Sequence, residues 1–181
     1  MEPDGAGRWG RRAAIASAAA VLAVFALVAC LALTRTTDTD LFWHLATGDW
    51  ILAHRQVPRA DPFSYTVPGR PWIDVHWLFQ AGLSLFHRTG GWRGLTLLKA
   101  GLVLLLFAGL YARSRRHAGP AAVAAALLLG ALACEERFLM RPEILSWLLM
   151  LAVIEAVERA LGRQDAAGRR RILWILLPIL Q

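Results

Sequence analysis

AAIASAAAVLAVFALVACLALT, running from Ala13 to Thr34, decides the fold, because 22 residues pass without a charged side chain. A helix rising ~1.5 Å per residue needs about 20 such residues to cross the ~30 Å hydrocarbon core of a bilayer. Arg8, Arg11 and Arg12 stand just before this run. A second apolar run, Gly94 to Tyr111, holds one charge, Lys99, and ends on Arg113, Arg115, Arg116 and His117. A third, Ala118 to Cys134, stops at Glu135-Glu136-Arg137. A fourth follows Arg141-Pro142-Glu143 and runs from Ile144 to Leu161.

Composition agrees with that reading. The chain is 57% hydrophobic and 18% charged, against about 45–50% and about 25% in soluble domains. Its net charge of +7 comes from 19 arginines and one lysine. The arginines cluster at the ends of apolar runs, so they speak for membrane topology and not for nucleic acid. Three basic clusters fall on one side of the membrane if the runs are successive spans, and the positive-inside rule makes that side cytoplasmic.

The expected fold is therefore all-α: a polytopic transmembrane helical protein with a cytoplasmic N-terminus over 1–12. Spans are expected at 13–34, 94–111, 118–134 and 144–161. An extracytoplasmic loop of 35–93 and an outer turn of 135–143 alternate with cytoplasmic loops of 112–117 and 162–171. Residues 172–181 read as the start of a fifth span that the chain does not finish. Cys30 and Cys134 lie inside apolar runs and read as inert. Leu27-Val28-Ala29-Cys30 also fits a lipobox, but the apolar run continues past Cys30.

The 35–93 loop is patterned. Leu41, Leu45, Gly48 and Leu52 recur at helical spacing, beside a stripe of Trp43, Ala46, Trp50 and Ala53. After a proline-rich section, Asp74 can cap a second helix with Val75, Leu78, Gly82 and Leu85 on one face. Gly90-Gly91 ends it. Two Trp-rich amphipathic helices suit the membrane interface.

Asp40, His44 and Thr47 share one helical face. A carboxylate beside an imidazole can bind a divalent ion or take a proton from a hydroxyl. The plainer alternative is that Asp38 or Asp40 caps the helix while His44 makes an interfacial hydrogen bond. Asp74 and His76 form a second such pair. Lys99 can bind a lipid-linked phosphate or snorkel to the interface. Arg137 and Arg141 can bind phosphate oxygens or pair with Glu135, Glu136 and Glu143.

Read together, Asp38-Thr39-Asp40-Leu41-Phe42-Trp43-His44-Leu45-Ala46-Thr47-Gly48, Pro58-Arg59-Ala60-Asp61-Pro62-Phe63-Ser64-Tyr65-Thr66, Gly69-Arg70-Pro71-Trp72, His76-Trp77-Leu78 and Arg141-Pro142-Glu143 resemble a family of bacterial multi-pass membrane proteins described as GT-C-like glycosyltransferases. The resemblance runs from about Ala13 to Leu161. It implies sugar transfer from a polyprenyl-phosphate carrier at the outer face of the bacterial inner membrane, with or without a divalent metal. The acidic residue after the first span is then the catalytic base or metal ligand, which places Asp40 in that role with Asp38 beside it. His44, Lys99, Arg137 and Arg141 are the matching candidates for donor phosphate or substrate, and Asp40 with His44 for a metal. Such enzymes have more spans, so the chain is expected to be an N-terminal portion that is inactive alone. Two other readings stay open. One is a non-catalytic membrane protein whose Trp-rich loop binds a partner or glycolipid. The other is a transporter, for which Lys99 and Glu155 are the sparse intramembrane charges.

Overall fold

The computed structural model describes residues 4–34 and 38–161, with side chains from residue 11 onward. The expected cytoplasmic loop at 162–171 and the start of a fifth span at 172–181 lie outside the described residues. Every regular element among the described residues is helical: α1 (Asp4–Ala32), α2 (Thr39–His54), α3 (Trp77–Ser114), α4 (Pro120–Cys134) and α5 (Glu143–Leu161), with a 3₁₀ turn at Glu135–Arg137. An isolated antiparallel bridge joins Ala60 to Pro71.

Two of these helices are long and apolar enough to cross a membrane, Arg11–Ala32 and Trp77–Ser114. Only 17% and 28% of their most apolar windows are buried, whereas the core helix of a soluble domain hides most of its apolar side chains. α4 has 15 residues and rises ~22 Å. α5 has 19 and carries Glu143, Glu155, Glu158 and Arg159.

α3 is two helices in series. Gly91, at φ 57° and ψ −158°, breaks it into limbs at 77–90 and 92–114, a left-handed backbone that glycine adopts without Cβ strain. The second limb packs with α1 and α4 around Val28, Ala32, Val103, Phe107, Val123 and Ala131. The small residues keep these helices close. Outside this seam, Leu22, Leu97, Leu105, Leu129 and Leu149 all point outward.

A second core joins α2 to both limbs of α3 and to the turn before α5 through Leu41, Leu45, Leu83, Leu95 and Met140. Gly48 sets the separation here. A Cβ on it would lie 2.7 Å from the Gln80 carbonyl carbon and 2.8 Å from Ser84 Cβ. Residues 55–76 fold back over α2, with Asp61 accepting the amides of Phe63 (2.8 Å) and Ser64 (3.1 Å). The second helix starts later than its sequence suggests. Asp74 Oδ1 accepts the amide of His76 at 3.1 Å in an Asx turn, and His76, without a side-chain cap bond, is the N-cap.

Gly48→Ala should pry α2 from α3 and cost about 1–3 kcal/mol, since backbone atoms must move. Gly82→Ala, which meets nothing within 4 Å, should be neutral or mildly stabilising. Thermal unfolding of both variants in detergent checks the contrast.

Candidate functional site

The side chains with chemical potential gather where α1 hands over to α2. Asp38 is the α2 N-cap, its Oδ1 accepting the amide of Asp40 at 3.1 Å. Its carboxylate is nearly inaccessible, 2% exposed. From the turn before α5, Arg141 donates to Asp38 through Nε (2.5 Å to Oδ2) and Nη2 (2.9 Å to Oδ1). The same Nη2 lies 2.7 Å from Asp40 Oδ2. The Arg141 hydrogen bonds hold the Asp38 carboxyl below the usual carboxylate range, against the opposing effect of burial. Asp38 in turn raises Arg141. The glutamates offered by the sequence, Glu135, Glu136 and Glu143, are not the partners of Arg141.

Asp40 differs from Asp38 in access. Its side chain is 55% exposed, so of the two carboxylates it is the one open to an incoming group. His44 sits one turn on. Its Nδ1 is 3.3 Å from Gln80 Nε2, and its ring lies edge-to-face with those of Phe79 (5.4 Å) and His76 (6.0 Å). Burial, then the charge of His76, lowers the His44 pKa, while Asp40, Asp38 and Glu143 pull it upward. The third residue of the expected face turns elsewhere: the Thr47 hydroxyl donates to the Trp43 carbonyl at 2.9 Å and is fully buried.

Lys99 is 1% exposed, and its Nζ donates to the Thr34 carbonyl at 2.9 Å. It therefore satisfies a carbonyl left over past the end of α1 and does not open onto the Asp40 site. Arg137 makes no ion pair among the described residues and borders an apolar cleft with Phe107, Phe138 and Trp147. Glu155 is bound by Arg113, Arg116 and Arg159 at the far end of the bundle.

Among the described residues no group of three or more His, Cys, Asp or Glu side chains could hold a metal ion. Asp40 and His44 are therefore a carboxylate and an imidazole on one face, available to proton transfer or to a ligand that brings other donors.

Sequence reading passed over Gln80, Ser84 and Arg88. Gln80 is 2% exposed, with its Oε1 unpartnered. Ser84 Oγ donates to Asp49 at 2.6 Å, and Arg88 adds 2.9 Å and 3.1 Å bonds to the same oxygen. The Ser84 hydrogen bond leads in lowering the Asp49 pKa. The signal was present: His76, Gln80, Ser84 and Arg88 recur every fourth residue, a polar stripe on an apolar helix. Compared with protein-family models, curated proteins and solved structures, the chain matches none.

Arg141→Ala should strand the Asp38 carboxylate and cost on the order of 3 kcal/mol, the low end for breaking a buried pair. Amide exchange in α2 would then speed by roughly 100-fold, at 1.4 kcal/mol per decade. Acid should loosen α2 in two stages. The depressed His44 contributes stability that is complete above its unfolded pKa of about 6.5 and falls as pH drops through its folded value. Asp38 behaves likewise lower down, below its unfolded value of about 3.9. Exchange measured against pH checks both, and His44→Gln should erase the upper stage alone.

Proposed function

We propose that this chain is a polytopic protein of the bacterial inner membrane, with α1, the second limb of α3, α4 and α5 as spans and its N-terminus in the cytoplasm. Its outer end then carries the acid–base part of a transfer of sugar from a polyprenyl-phosphate carrier. Asp40 is the base: it takes the proton of the acceptor hydroxyl as that oxygen attacks the anomeric carbon, and the phosphate leaves with its own negative charge. Arg141 holds the carboxylate in place, and Asp38 anchors Arg141.

One observation carries this reading. Arg141, about a hundred residues along the chain, converges on Asp38 and Asp40 and leaves only Asp40 open, with His44 one turn further along α2. The end of a candidate span is where a donor with a lipid tail must be met, because the tail stays in the hydrocarbon. The basic clusters Arg8–Arg12 and Arg113–Arg116 support the orientation. The apolar outward faces of α4 and α5, such as Leu129 and Leu149, support their assignment as spans.

A second reading rests on aromatic side chains. Trp43, Phe63 and Trp72 cluster with ring centroids 5.2–6.4 Å apart, and Trp43 stays 43% exposed. In that reading the Trp-rich loop binds a partner or glycolipid without chemistry.

The full chain in membrane vesicles, given radiolabelled polyprenyl-phosphate sugar and a membrane extract as acceptor source, separates the two. Asp40→Asn in the full-length protein should lower transfer by about 10²-fold or more with insertion unchanged; undiminished transfer by that variant rejects the catalytic reading. The binding reading expects Trp43→Ala, Trp72→Ala and Trp77→Ala to lose capture of glycolipid while Asp40→Ala and His44→Ala keep it.

A further inference from the structure

The first limb of α3 is amphipathic with its polarity inverted. The side it buries against α2 carries polar groups beside Leu83: Gln80 and Ser84 are 2% and 1% exposed, and the half-exposed Arg88 follows on the same stripe. The side it turns outward is apolar. Leu78, Leu85 and Phe86 are 69%, 57% and 40% exposed, and Ile73 and Val75 just before the limb are more exposed still. A helix on a water-facing surface does the opposite, because each apolar side chain left in water costs about 25 cal/mol per Å².

Two further features say what covers this face. Past Gly91, Leu97 and Leu105 of the candidate span are exposed as well, and Leu78 shares a cleft with Leu98 and Leu102 of that span. That cleft, of about 270 Å³, opens between the two limbs and the start of α5, lined only by apolar residues, among them Leu78, Phe79, Leu83, Leu98, Met140 and Leu145. Two ion pairs mark the α2 side instead, where Asp49 meets Arg88 and Asp40 meets Arg141.

We infer that the first limb of α3 is seated in the lipid leaflet, its Leu78–Leu85 face against hydrocarbon and an acyl chain of a bilayer phospholipid in the cleft beside Phe79. This rests on the membrane reading of α3 but not on catalysis. Gln80, Ser84 and their partners on α2 are then a polar seam enclosed between two helices, with lipid on the outer side of one. Such a seam costs little to bury because most of its groups are paired, and lipid contact favours it over the reverse packing.

Nitroxide labels at single cysteines test the seating, in the full chain with Cys30→Ala and Cys134→Ala, reconstituted into phosphatidylethanolamine/phosphatidylglycerol vesicles. Labels replacing Leu78, Leu85, Leu105 and Tyr65 are probed with oxygen, which concentrates in lipid, and with a water-soluble nickel chelate. At positions 78 and 85 oxygen should collide several-fold more often than the chelate, as at 105, while position 65, 98% exposed on the loop, shows the reverse. If 78 and 85 behave like 65 while 105 stays oxygen-rich, the seating is wrong and the span stands. If 78 and 85 are shielded from both reagents, a second copy of the chain covers the face and the inference also fails. A chelate-accessible 105 overturns the membrane reading together with it.

Discussion

Arg141 and the two aspartates that open α2 form the joint on which the arrangement depends. α1 and α2 are separated by a short connection, and nothing in α2 itself dictates its direction from there. The guanidinium, presented by the turn before α5, offers a rigid fork of donors to a carboxylate that has almost no access to water. That carboxylate is also the N-cap of α2, so one group ends one helix electrostatically and fastens it to another. Because the pair is largely removed from solvent, losing either partner leaves a charge uncompensated. The Asp40 carboxylate inherits its position from this joint while keeping most of its surface open.

From that joint the contacts between α2 and the first limb of α3 run in the same order along both helices. His44 meets Gln80, Gly48 meets Gln80 and Ser84, and Asp49 meets Ser84 and Arg88. Polar side chains line this interface at a four-residue period, and the bare Cα of Gly48 lets the helices come close enough for the flanking hydrogen bonds to form. Leu41, Leu45 and Leu83 seal it from below. The polar groups in the middle specify register, since sliding one helix by a turn would leave several of them buried and unpaired.

The opposite end of the bundle is tied differently. Arg113 engages both Glu155 and Glu158, and Arg116 and Arg159 share Glu155. Glu158, Arg116 and Arg159 are more exposed than the Asp38 pair, and surface ion pairs contribute little one by one. As a network between α3 and α5 they fix the angle of two helices that otherwise touch through smooth apolar surfaces. A transporter pathway, the other use to which Glu155 could be put, is not needed to explain a carboxylate with three arginine partners.

The helical character, and the approximate place of each helix, were legible in the sequence, because they follow from local terms: uncharged runs of leucine and alanine, an aspartate ahead of a periodic segment, a glycine pair where α3 breaks. Asp38 as a cap belongs to the same class, since capping reaches only two or three residues. Asp74 shows where local reading slips, because an Asx turn and an N-cap use the same carboxylate and only the path of the chain decides between them. The partners of Arg141, Lys99 and Gln80 were decided by tertiary structure alone. Each bond spans from 36 to 103 positions, and no spacing rule reaches that far. Sequence put Glu135, Glu136 and Glu143 within easiest reach of Arg141; the fold gave it Asp38 and Asp40, because the packing of α1, α3 and α4 brings the turn before α5 to the start of α2. Lys99 likewise turns inward to a free carbonyl past the end of α1, since an ammonium in an apolar seam must find an acceptor and that one is nearest.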